Sequence, residues 1–175
     1  MVLSRSVGYA FEAGKPLRET LRRRIKVLDQ AGVTAYSTLD FPYDPVDQRF
    51  FLNRLAVIDP GGKENAKGSL DDAYVKDAQT SAASNLKMLQ VQVPGLKPGA
   101  VIDVEVTLED RAIETDFPFT RHLFAYGVPC AGEAVFIAGD TARVKALTAQ
   151  GREQLRETLE YWNKLNMTVK RLAKS

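Results

Sequence analysis

His122 and Cys130 stand eight residues apart, and a thiolate activated by imidazole is a known nucleophilic arrangement. They are the only His and the only Cys in 175 residues, so a zinc site would need carboxylates to complete it. The neighbourhood "VPC" around Cys130 is apolar, of the kind that leaves a thiol inert, and no third group is placed to orient the imidazole. A buried structural Cys and an ordinary His are the simpler reading.

Paired acids are more numerous: Asp71-Asp72, Glu109-Asp110 and Glu114 with Asp116. Two carboxylates do general acid–base work only where the fold brings them together and pushes one pKa up. These pairs fall in loops and at strand ends, where solvated acids are the rule. Phe117, Phe119 and Phe124 near Arg121 could form a recognition patch, although core aromatics at period two explain them as well. Asn166-Met167-Thr168 fits the short glycosylation acceptor pattern. Phosphate loops, dinucleotide-binding glycine motifs, nucleophile elbows, zinc-protease helices and calcium loops are all absent from the sequence. No catalytic, cofactor-binding or metal-ligating residue is therefore assigned, and no cofactor is expected.

Composition sets the outer bounds. A net charge of +2 gives no electrostatic case for nucleic acid or an anionic membrane. The densest basic run, Arg22-Arg23-Arg24 with Lys26, interleaves with Leu21, Ile25 and Val27 and reads as the solvated face of an amphipathic element. A single cysteine excludes an internal disulfide but leaves the compartment open. No apolar run reaches the roughly 20 residues of a membrane span, and the start lacks the roughly 7–15 apolar residues of a signal peptide. The whole chain, 1–175, is expected to form one domain.

The elements that would position any site are mostly strands. In residues 101–108, Ile102, Val104, Val106 and Leu108 alternate with Asp103, Glu105 and Thr107, which predicts a strand with one wet face. Residues 88–93 alternate likewise, with Leu89, Val91 and Val93 on one side. Between them, "PGLKPG" supplies prolines that cannot donate to a ladder and glycines that tolerate positive φ. An antiparallel connection between the two strands is expected. Phe50 to Ile58 predicts a further strand running into the turn "DPGGK". Val33–Phe41 and His122–Val128 are weaker candidates, and Ala134–Ala138 and Ala142–Leu147 flank a "GD" hairpin turn. Residues 61–85 read as a long, mobile loop with a short strand around Ala73–Val75. The pentapeptide "LRETL", at Leu17–Leu21 and Leu155–Leu159, fits both a helix and a strand, and the strand-rich context favours strands at both ends. The fold class is all-β and mainly antiparallel, with short helical pieces in loops.

Arg54, Val57, Ile58, Asp59, Pro60, Gly62 and Lys63 form one motif. Pro94, Gly95, Leu96, Lys97, Pro98, Gly99, Val101, Ile102 and Glu105 form a second. In order and spacing they resemble a bacterial β-sandwich domain of unknown function found before transglutaminase-like domains in exported proteins. Ala100 replaces the acid common there, and the closing "EYWNKLNMTV" is similar to the last strand region of such domains. The resemblance implies a large two-sheet sandwich, an exported or periplasmic location, and a non-catalytic module beside a downstream Cys-His-Asp domain. The implied partners are that domain of the same polypeptide and its protein or peptide substrate. Two other readings stand beside it. One is a carbohydrate- or peptide-binding module using Phe41, Tyr43 or Phe117; the other is a cysteine hydrolase using Cys130 and His122.

Overall fold

A computed structural model describes residues 1–78, 85–113, 115 and 130–140. Its strands are β1 (Val2–Phe11), β2 (Pro16–Lys26), β3 (Thr38–Tyr43), β4 (Gln48–Ile58), β5 (Glu64–Lys67), β6 (Tyr74–Asp77), β7 (Lys87–Gln92), β8 (Val101–Ile113) and β9 (Glu133–Gly139). One short helix, α1 (Gln30–Ala35), precedes β3. The strands form a six-stranded sheet, β5-β4-β8-β2-β1-β9, and a three-stranded sheet, β3-β7-β6. Pairing is antiparallel throughout except between β1 and β9. The all-β, mainly antiparallel class expected from the alternating runs and the two-sheet sandwich implied by the resemblance are the observed architecture.

Alternation builds the core. Ile102, Val104 and Val106 of β8 point inward with Ile25 of β2 and Leu55 and Val57 of β4. They meet Leu39 and Phe41 of β3 and Leu89 and Val91 of β7. Burying large side chains on both inner faces supplies the main driving force, about 1.5–3 kcal/mol for each. The first "LRETL" lies inside β2, so that copy is strand; the second, with Trp162 and the acceptor pattern at Asn166, lies outside the described residues.

Three sequence expectations need correction. The strands at 88–93 and 101–108 exist, but they are not paired: β7 belongs to the small sheet and β8 to the large one. Their apolar faces oppose each other across the core instead of lying side by side. The loop "PGLKPG" is thus a crossing between sheets. Gly95 (φ 67°) and Gly99 (φ 85°) take the left-handed conformation that the crossing requires. The backbone is held by Val93 N–H to Ser37 O at 2.9 Å and Gly99 N–H to Val27 O at 2.7 Å.

The candidate strand Val33–Phe41 starts only at Thr38. The side chain of Asp29 accepts a 2.8 Å bond from Gly32 N–H and caps α1, which carries residues 30–35. Pro42 is tolerated in β3 because that strand lies on a sheet edge. The region 61–85 is not one long loop. It holds β5, a 3-10 turn at Leu70–Asp72, and β6, which overlaps the strand anticipated around Ala73–Val75 but starts at Tyr74. The turn "DPGGK" closes the β4–β5 hairpin: Asp59 N–H donates to Lys63 O at 2.8 Å, with Gly62 at φ 86°. The candidates His122–Val128 and Ala142–Leu147 lie outside the described residues, whereas Ala134–Ala138 falls within β9.

Candidate functional site

The outer face of the six-stranded sheet gathers the densest polar chemistry among the described residues. Strand β8 puts Asp103, Glu105, Thr107 and Glu109 on this face, since its even-numbered apolar residues point into the core. Register then decides their neighbours. Across β2 they meet Arg24, Arg22, Thr20 and Arg18; across β4 they meet Ala56, Arg54, Phe51 and Arg49. A bulge in β4 between Leu52 and Arg54 inserts Asn53, so Asn53 and Arg54 both face Glu105.

Two clusters result. Asp103 is only 4% exposed, yet it is charged on both sides. Arg22 grips it with two bonds, Nε to Oδ1 at 3.1 Å and Nη2 to Oδ2 at 3.0 Å. Arg54 Nε reaches Oδ2 at 3.1 Å, and its Nη2 continues to Glu64 Oε2 at 2.6 Å. Burial works to raise the Asp103 pKa, but the bonds and charges of Arg22 and Arg54 outweigh it, so the carboxyl lies below the usual range. Glu109, 5% exposed, accepts from Arg18 Nε at 2.7 Å and Arg49 Nη1 at 3.1 Å. The Arg18 bond is the main cause of its lowered pKa. Between the clusters, Thr20 and Thr107 share a 2.8 Å hydroxyl bond. Asn53 Nδ2 donates to Thr107 Oγ1 at 2.7 Å and to Glu105 Oε1 at 3.3 Å.

Asp103 and Glu109 are held ionised, which suits recognition and not proton donation at neutral pH. The wet face expected for β8 is accordingly only half wet: Asp103 and Glu109 lie beneath arginine side chains. Among the described residues, no group of three His, Cys, Asp or Glu side chains is arranged to hold a metal ion.

The residues singled out from the sequence are dispersed. Cys130 is half-buried in an isolated bridge to Val2, with Sγ 3.2 Å from Gly132 O, while His122 lies outside the described residues. Asp71 and Asp72 are exposed on the 3-10 turn. Glu109 and Asp110 point to opposite faces of β8: Glu109 joins the arginines outside, and Asp110 accepts from Gln48. Glu114 and Asp116 lie outside the described residues, as do Phe117, Phe119, Arg121 and Phe124.

The run Arg22-Arg23-Arg24 is no single solvated face. Arg23 turns inward, 5.8 Å from the Phe41 ring centroid, and desolvation, with help from nearby Arg5, lowers its pKa. Phe41 is 4% exposed and packs on Phe50 at 5.4 Å; Tyr43 packs on Phe50 at 5.9 Å. Phe41 is therefore not available as a binding aromatic, and Tyr43 is half-buried beside Phe50.

Among the described residues the exposed rings are others: Phe51, 43% exposed, Tyr74, 49% exposed, and Phe136, 61% exposed. A signal for Phe51 was present, because consecutive phenylalanines in one strand must face opposite ways and only Phe50 can enter the core.

Residues 16–138 match the model of a domain of unknown function, DUF3857. No curated protein matches the chain. Among solved structures, one described as a "putative protease" from Parabacteroides distasonis aligns with a TM-score of 0.55 at 16% identity. The alignment covers 63% of this chain and 23% of that one, so this chain corresponds to a minor part of that protein's length. Two structures of a family 3a carbohydrate-binding module from the Clostridium thermocellum cellulosome scaffold give TM-scores of 0.36 and 0.34, at 15% and 16% identity. They cover 60% of this chain in each case, and 65% and 73% of their own. The model match takes in both sequence motifs and seven of the strands in full, from β2 to β8, and on that ground the chain belongs to the DUF3857 family.

Proposed function

We propose that this chain is a non-catalytic β-sandwich module that accompanies a protease-like catalytic domain, of transglutaminase-like type, in an exported polypeptide. The observation that carries the reading is the fold shared with part of a much longer protein described as a "putative protease", of which this chain matches 23%. The site geometry agrees with it. Asp103 and Glu109 are locked as anions under paired arginines, an arrangement that shapes a surface and keeps these two acids from donating a proton. In this role the module stabilises the neighbouring domain or presents its substrate.

Two measurements test it. The chain by itself, assayed on casein and on a fluorogenic peptide library, is expected to give no turnover. Turnover that disappears in Cys130→Ser would overturn the proposal in favour of a cysteine hydrolase. Deletion of residues 1–175 from the full-length polypeptide is expected to lower its thermal midpoint or narrow its substrate range. No change in midpoint, range or rate would remove the module from the activity altogether.

A further inference from the structure

Register places Phe51 and Phe136 in one transverse row of the outer face. Phe51 of β4 pairs with Thr107 of β8, Thr107 with Thr20 of β2, Thr20 with Gly8 of β1, and Gly8 with Phe136 of β9. Four strand spacings of about 4.8 Å set the two rings about 19 Å apart. Between them the floor is low: two threonine hydroxyls bonded to each other, and a glycine with no side chain. One bank is Arg18, Glu109 and Arg49; the other is Ser6, Arg22, Glu105, Asn53 and Arg54. The result is a shallow trough with an exposed aromatic at each end and hydrogen-bonding side chains along both sides.

We infer that this trough binds a neutral polysaccharide chain, lying along the row from Phe51 to Phe136. The charges select that class. Arg18, Arg22, Arg49 and Arg54, which border the trough, are matched by Asp103, Glu105, Glu109 and Glu64, so a ligand of either sign finds no unmatched charge within it; the exposed Arg24, which makes no ion pair among the described residues, stands one row beyond. Sugar hydroxyls need none. Each is both donor and acceptor, and can use the remaining guanidinium N–H groups and carboxylate lone pairs without breaking the ion pairs. The C–H faces of sugar rings can stack on the two phenylalanines, which otherwise present apolar surface to water. A protein partner fits less well, because the centres of protein interfaces are depleted of charge and this face is charged through its middle. The inference is independent of which domain accompanies the chain.

The test is affinity electrophoresis of the intact chain in gels containing hydroxyethyl cellulose, glucomannan, arabinoxylan or dextran. Carboxymethyl cellulose serves as an anionic control on the same backbone as the first. At least one neutral polymer is expected to retard the chain. Phe51→Ala and Phe136→Ala should each weaken that retardation about fivefold, in line with the loss of one aromatic contact. Gly8→Gln supplies a variant that blocks the floor without disturbing the fold: a Cβ there meets only Thr20 O, at 3.9 Å. It should weaken binding at least as much, with an unchanged thermal midpoint. Failure of all four neutral polymers, retardation by carboxymethyl cellulose alone, or equal retardation of the wild type and all three variants would each overturn the inference.

Discussion

At the scale of single residues, the acids beneath the arginines make the sharpest predictions. Asp103→Asn removes the charge that Arg22 and Arg54 share and is expected to cost about 2–3 kcal/mol in denaturant unfolding. The pH dependence follows from the lowered pKa values of Asp103 and Glu109. Below the ordinary carboxylate range of about 4 the unfolded chain binds protons that the native state still refuses. Their contribution is therefore complete above that range and is lost as pH falls through the native values. Wild-type stability should drop steeply in acid, and Asp103→Asn should flatten part of the slope. Glu19 runs the other way. Desolvation, with Asp110 nearby, raises its pKa, so its ionisation opposes folding once pH passes the ordinary glutamate value. Glu19→Gln should raise stability at neutral pH and leave it nearly unchanged in strong acid. Little of this was legible in the sequence. Alternation identifies the outer face of β8, but only cross-strand register shows that Arg22 and Arg54, 32 residues apart in the sequence, share one carboxylate.

Elements were more legible, and their errors share a cause. The runs 101–108 and 50–58 were found because each buries one face, and period two survives in the residue types. The pairing of 88–93 with 101–108 was misjudged because a short Pro-Gly loop is equally compatible with a hairpin and with a passage between layers. Strand periodicity does not encode which neighbour lies alongside. The structure also explains why the two sequence motifs travel together. A Cβ on Gly99 would lie 3.1 Å from Pro60 Cγ, and one on Gly95 would lie 3.3 Å from Ala66 Cβ, so the crossing loop rests on the β4–β5 hairpin. Gly99→Ala must adopt φ 85° and also displace Pro60, and is expected to cost about 2 kcal/mol. Gly14→Ala, with a similar φ of 82° but open space around it, should cost about 1 kcal/mol. Equal losses in thermal unfolding would show that backbone strain alone matters and that the loop–hairpin contact does not.

At the scale of the molecule, β8 stands at the middle of the six-stranded sheet, paired along its length with β2 and β4. Ile102, fully buried between the sheets, is the residue through which that position is felt: Ile102→Ala should cost about 3 kcal/mol, and Ile102→Val about 1. The central place of β8 also has a consequence in time. A ribosome delivers β1 with β2, then β4 with β5, as two local hairpins that do not touch each other within the sheet. Only when residues 101–113 emerge can one strand zip both halves together, and β1 receives its second neighbour later still, at residues 133–139. Contacts so distant in sequence put refolding in the range of milliseconds to seconds, and stopped-flow fluorescence should find no faster main phase. Until then the growing chain carries two half-sheets with bare strand edges. Its yield in a cell is thus governed by how promptly the eighth strand follows the first five, and not by native stability alone.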